Sequence, residues 1–150
     1  TTGADGHVAD PFQRKREHLA LCHQAPVQVA SHAGLWSEVH LVHNALPELS
    51  RSELQLDTPF LRHRLRAPLM LTGMTGGPPE AGMINRQLAQ ICQRLGLAFG
   101  VGSQRIMDRA PASLATFRVR EVAPDVVLLG NLGVNQVRDL GIARACELWR

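Results

Sequence analysis

Three short apolar runs constrain this chain more than any other feature: Leu69–Leu71, Leu97–Val101 and Val126–Leu129. Each is too short for a helix and suits a strand buried on both faces. Each also ends in residues that a core would not choose. The first runs into Thr72-Gly73-Met74-Thr75-Gly76-Gly77, the second into Gly102-Ser103-Gln104-Arg105, the third into Gly130-Asn131-Leu132-Gly133. Helical patterns separate and follow them. Ala81, Ile84, Leu88, Ile91, Cys92 and Leu95 recur at helical spacing, with Gly96 placed as a C-terminal cap. Pro111–Val122 predicts a second helix, with Leu114, Ala115, Phe117 and Val122 as core contacts. The segment from Val134 to Arg150 predicts a third, in two pieces bent near Gly141.

Strand, helix, strand, helix, strand, helix is the order of parallel strands joined by crossovers. An open doubly wound sheet and a (β/α)8 TIM barrel both fit that order. Gly100 and Gly102 begin the phosphate fingerprint of the open sheet, but Arg105 stands where its third glycine belongs. Thr72, Ser103 and Asn131 lie about 30 residues apart, the repeat expected when about 250 residues are divided among eight barrel units. The expectation is an α/β barrel, of which this chain supplies an N-terminal extension and about the first three βα units.

Upstream, the organisation is less regular. Residues 1–9 read as a disordered lead-in. Asp10-Pro11 predicts an N-cap with Pro at the first helical position, and Gln13 is placed to close a capping box. That helix is expected from Pro11 to about His23, with Arg14 and His18 on one face and Lys15 beside them. Val39, Leu41 and Val42 suggest a short extended segment, Leu46–Leu56 a loop, and Asp57–Pro68 a hairpin or arm leading into the barrel. The division is therefore 1–9 lead-in, 10–67 helix and arm, and 68–150 barrel.

Composition narrows the function classes. With no Tyr and 4% aromatic residues, the chain lacks the stacking platforms of nucleic-acid modules. A formal charge of +3 suits an anionic small molecule without amounting to a basic tail. Cys22, Cys92 and Cys146 form no Cys-x-x-Cys pair, which points to a reduced setting. Neither a signal-peptide pattern nor an apolar run near the roughly 20 residues of a membrane span is present, so a cytoplasmic protein is expected.

Barrel enzymes place their chemistry at the C-terminal ends of strands, where the three polar clusters would converge on one mouth. Glycines let a backbone approach a flat ligand, and hydroxyls and an amide serve a heterocycle with carbonyls and ring nitrogens. The Arg105 fork suits phosphate oxygens. Taken singly, Gly76-Gly77-Pro78-Pro79 is also ordinary turn chemistry, and Arg14-Lys15-Arg16 is also an ordinary solvated helix face. Ser103-Gln104-Arg105 is also an ordinary solvated loop and Asn131 an ordinary loop amide; the shared position of the three strand-end clusters is what argues for a site.

Arg14-Lys15-Arg16-Glu17-His18-Leu19, Leu41-Val42-His43-Asn44-Ala45-Leu46-Pro47-Glu48, Met74-Thr75-Gly76-Gly77, Gly102-Ser103-Gln104-Arg105, Phe117-Arg118-Val119-Arg120 and Asn131-Leu132-Gly133 occur in that order. Together, from about Phe12 to Arg150, they resemble the N-terminal part of the type 2 isopentenyl-diphosphate isomerase family. The resemblance implies an FMN-dependent (β/α)8 barrel that interconverts isopentenyl and dimethylallyl diphosphate by an allylic proton shift. It also implies Mg2+, NADPH as reductant, and a homo-oligomer. Thr72, Gly73, Met74 and Thr75 would line the flavin, with Ser103 and Asn131 hydrogen-bonding it. Ser103, Gln104 and Arg105 would face the substrate diphosphate, with Arg14 and Lys15 completing the clamp and His18 in support. The flavin itself would be the acid–base group, so no catalytic side chain is named, and no metal ligand falls in this segment. Family members are roughly twice this length, which implies that the chain is an incomplete piece. The rival readings are another FMN-barrel oxidoreductase and an inactive half-barrel.

Overall fold

The structure, a computed structural model, describes residues 10–24, 27 and 38–148. The expected lead-in at 1–9 lies outside the described residues. Helix α1 spans Gln13–Gln24. Asp10 caps its entry, its Oδ1 accepting from Phe12 N at 2.9 Å, and pairs with Arg16. Gln13 does not close a capping box; its amide donates instead to Glu17 one turn on, at 3.0 Å. No residue of α1 is buried, and only Phe12, Lys15 and Leu19, three and four residues apart on one face, are half-covered.

Val39–Val42 form no strand; among the described residues from 39 to 57 the one regular element is a 3-10 turn at Arg51–Glu53. Ser50 and Glu53 cap that turn reciprocally, Glu53 Oε2 accepting from Ser50 N at 2.7 Å, and this bonding holds the Glu53 carboxyl below its ordinary pKa.

The expected hairpin is present as β1 (Thr58–Phe60) and β2 (His63–Leu65), antiparallel in the register Thr58↔Leu65. Its two-residue loop puts Leu61 at φ 54°, left-handed backbone that a leucine adopts only under strain. Leu61→Gly is therefore expected to raise the stability of the folded chain by about 1 kcal/mol, read as a higher denaturation midpoint at unchanged slope. A lower midpoint would show that the exposed leucine contributes contacts worth more than its strain.

Strands β3 (Met70–Leu71), β4 (Ala98–Gly100) and β5 (Val127–Leu129) form one parallel sheet in the order β3-β4-β5. Leu71 pairs Phe99, and Phe99 pairs Leu128. Central β4 is buried throughout, whereas β3 is not buried on both faces as expected: Met70 is 40% and Leu71 36% exposed. Edge position explains this, because β3 has a partner on one side alone and little packed over it.

Helix α2 (Pro79–Leu95) crosses from β3 to β4, starts on Pro at its first turn and stops at Gly96 in left-handed conformation. Its buried residues are Ala81, Gly82, Asn85, Ala89 and Cys92. The larger Ile91 and Leu95, expected in the core, are exposed. Small residues face inward because the helix sits close: a Cβ at Gly82 would lie 3.2 Å from Thr116 Cα. The second expected helix is replaced by a four-residue α3 (Ile106–Arg109) and a 3-10 segment at Pro111–Phe117. The Thr116 hydroxyl donates back to Ser113 O at 2.7 Å, which favours the tighter turn over α-helix. Leu114 and Ala115 consequently face solvent, while Phe117 is buried. Helix α4 (Val134–Glu147) follows β5 and breaks at Gly141 (φ 78°, ψ 158°), at the expected bend.

The core gathers on the helix side of the sheet from Ala89, Cys92, Phe99, Val101, Met107, Phe117, Val119, Ala123, Val126 and Leu148. Burial also pushes the Cys92 thiol above its ordinary pKa, which makes it an inert core group. No helix among the described residues is long and apolar enough to cross a membrane.

Candidate functional site

The C-terminal ends of β3, β4 and β5 converge, and backbone contacts lock them together. Gly102 N donates to Thr75 O at 3.0 Å, Val101 N to Leu129 O at 3.1 Å, and Gln104 N to Asn131 O at 2.9 Å. Thr72, Ser103 and Asn131 thus follow the C-terminal ends of three neighbouring parallel strands. The glycines serve a purpose different from the one expected. A Cβ at Gly73 would lie 2.0 Å from Val101 O, and one at Gly102 would lie 2.5 Å from Thr75 O. These positions let strand-end loops touch each other, where the sequence suggested room for a ligand.

Among the other expected residues, Thr72, Gly73 and Met74 are exposed at the rim, and Ser103 is half-buried. Thr75 is 5% exposed, yet its Oγ1 has no hydrogen-bond partner among the described residues. A buried hydroxyl left so costs about 1–3 kcal/mol unless a ligand or water meets it. Gln104 is turned away from the role expected for it. Its Oε1 accepts from Asn131 N at 3.0 Å and its Nε2 donates to Leu148 O at 3.1 Å, so its amide ties β4 to β5 and to the end of α4.

The cations come from two distant stretches. Phe12, at the entry to α1, stacks near Gly77: a Cβ at Gly77 would sit 3.2 Å from the Phe12 ring. This contact lays α1 against the β3 loop and brings Lys15 close to Arg105. The Lys15 pKa is lowered from 10.5, first by burial, then by the charges of Arg14 and Arg105. None of the ion pairs found among the described residues involves Arg14, Lys15 or Arg105. Lys15 thus lies within electrostatic reach of Arg14 and Arg105, an arrangement of like charges whose chemistry suits an anion. His18 is exposed on the same helix.

Lys15 therefore stabilises the fold less when charged than when neutral. Below its lowered pKa the folded chain bears the full penalty, and stability rises with pH through the window up to 10.5. Lys15→Met, which keeps the aliphatic stem, is expected to raise the thermal midpoint at neutral pH and to flatten its rise toward alkaline pH. An unchanged pH profile would mean that Lys15 is neither desolvated in the fold nor crowded by Arg14 and Arg105.

Asn85 and Thr116 were not legible as site residues. Asn85 is 2% exposed, and its Nδ2 donates to Thr75 O at 3.2 Å and Thr116 O at 3.0 Å. The available signal was a lone amide in the stripe Ala81, Asn85, Ala89, Cys92, at helical spacing.

No protein-family model matches the chain. It is similar to proteins named isopentenyl-diphosphate delta-isomerase from Methanosarcina mazei, at 41% identity over 87% of this chain and 36% of the relative. The corresponding protein of a Nostoc species is 40% identical over 86% of this chain and 37% of the relative. That of a Synechococcus species is 47% identical over 83% of this chain and 36% of the relative. The chain spans little more than a third of the length of these curated relatives.

Proposed function

We propose that this chain is the N-terminal portion of an FMN-dependent (β/α)8 isomerase that interconverts isopentenyl and dimethylallyl diphosphate in isoprenoid biosynthesis. One observation carries the reading: Phe12, at the entry to α1, and Ile106, next to Arg105, both lie against Gly77, so the helix that bears Arg14 and Lys15 meets the β3 loop where Arg105 follows β4. A cluster of unneutralised cations at the mouth of a parallel sheet fits a diphosphate. Identity of 40–47% to proteins named for that substrate supports the same reading.

The residues present also fit a flavin. Thr75 Oγ1 is buried without a partner, the Ser103 hydroxyl and the Asn131 amide stand at the same mouth, and Thr72, Gly73 and Met74 form an exposed rim. On this reading these six hold FMN, and Arg14, Lys15, Ser103 and Arg105 hold the diphosphate. Gln104 keeps the mouth in shape through its two amide bonds. Reduced FMN, when bound, supplies the acid–base group for the allylic proton shift, with NADPH as reductant. The side chains bind, orient and neutralise: fixing the diphosphate holds the allylic carbons in one place, and the cations offset its charge. Asp and Glu are absent from all three strand-end clusters, so proton transfer by a carboxylate has no candidate there. Mg2+ belongs to the reading as well, although no group of three or more His, Cys, Asp or Glu is gathered for it among the described residues.

The free edges of β3 and β5 are where further barrel strands would pair, and exposed Leu69, Met70, Leu71 and Met74 are the apolar surface they would cover. The reading is tested on the full-length protein containing this segment. Isomerisation of isopentenyl diphosphate with FMN, reductant and Mg2+ is the expected result. Flavin binding with no turnover of the diphosphate would retain the flavin barrel and remove the substrate.

A further inference from the structure

The loop after β3 is held from beneath by a buried polar network. Asn85, on the inward face of α2, donates both amide hydrogens, to Thr75 O and Thr116 O. The Thr116 hydroxyl accepts from Gly77 N at 2.9 Å. Thr75 O also takes Gly102 N, so one carbonyl joins the ends of β3 and β4. Asn85, Thr75 and Thr116 are 2%, 5% and 8% exposed and both glycines are buried, so the network underlies the loop out of reach of solvent.

We propose that Asn85 is a positioning residue: through the Thr75 and Thr116 carbonyls it sets the β3 loop so that the unpartnered Thr75 hydroxyl faces the bound ligand. What the loop receives rests on the flavin reading above; the network itself does not. Two features separate this role from simple support of α2. Asn85 makes neither side-chain bond to its own helix; both go to the loop and to the 3-10 segment. Its other neighbours on the buried face, Ala81, Ala89 and Cys92, could be matched by a plain apolar residue. An apolar residue at 85 would take the side-chain donor from the Thr116 carbonyl and leave the Thr75 carbonyl with Gly102 N alone, and Asp would set an acceptor against both.

The test uses the full-length protein carrying this segment, with FMN as the probe and amide hydrogen exchange as a flavin-independent readout. Asn85→Asp is expected to weaken FMN binding about tenfold or more, from loss of one or two buried hydrogen bonds. The visible flavin band should move toward that of free FMN. In the protein without flavin, the Gly77 and Gly102 amides should exchange faster, while the Leu97 amide, bonded to Cys92 O at the far end of α2, stays as in the parent. Should Asn85→Asp fail to fold, Thr116→Val carries the same expectation at Gly77, and Thr116→Ser, which keeps the hydroxyl, should restore it. A lower melting temperature with parental flavin affinity, spectrum and glycine exchange would overturn the proposal and leave Asn85 a packing residue. If the parent itself binds no FMN, the flavin reading fails, and exchange at the two glycines still decides the positioning role.

Discussion

Gly73→Ala is expected to leave no stably folded chain. Its added methyl would lie 2.0 Å from Val101 O and 2.5 Å from Val101 C, and both atoms belong to backbone. Relief would require parting β3 from β4 at the central strand, where Ala98 and Phe99 are essentially inaccessible. Ordinary overpacking costs about 1–3 kcal/mol because side chains yield. Here none can, so the cost should exceed that range and consume much of the roughly 5–15 kcal/mol that holds a domain. Gly102→Ala, at 2.5 Å from Thr75 O, should follow closely.

Two control substitutions show that the reason is steric. Gly141→Ala meets nothing within 4 Å, so only its backbone conformation (φ 78°, ψ 158°) opposes it, at about 1–3 kcal/mol. Gly133→Ala meets the far end of the Gln136 side chain, which can swing away, and should be milder still. Denaturant melts of the four variants would check the order. Gly73→Ala melting with the parent would mean that β3 does not lie where it is placed.

Arg105→Met should weaken binding of inorganic pyrophosphate to the full-length protein by about ten- to a hundredfold, the usual worth of a charge-assisted bond. Lys15→Met should weaken it in the same direction. The double variant should lose less than the sum, because both cations address one anion. Lys15→Met is also expected to gain stability while losing affinity. That opposite movement is the signature of a charge kept for a ligand. Strict additivity of the two losses would place the cations at separate sites, and unchanged pyrophosphate affinity in both variants would remove the anion site altogether.

How much of this was legible depended on whether a feature is local. The strands, the Gly96 cap, the Gly141 bend and the hairpin each leave a short-range signature, and each is present near its expected place. The Pro111–Val122 helix failed because the Thr116 hydroxyl competes for backbone within its own turn, an effect that apolar spacing does not register. The inward face of α2 was misassigned by favouring bulk; close packing selected Ala81, Gly82 and Ala89 and turned Ile91 and Leu95 outward. At the mouth, residue types disclosed the polar character of the strand ends but not their division of labour. Gln104 offers the same amide as Asn131, and only their mutual bonds show that Gln104 is occupied within the chain. Asn85 was missed because its partners are carbonyls, which look the same at every position of a sequence.

Helix α1 has no buried residue, although it carries two of the three cations. A segment so shallowly attached opens locally at little free-energy cost, and Lys15 meets like charge when it closes. An anion affinity measured at this mouth would then be the intrinsic affinity multiplied by the fraction of molecules in which the helix is docked. A substitution far from any ligand, such as Phe12→Ala, should act on that fraction alone, lowering affinity and leaving the bound complex unchanged. The strength of such a site would in this sense be a population, set by one aromatic ring resting against Gly77.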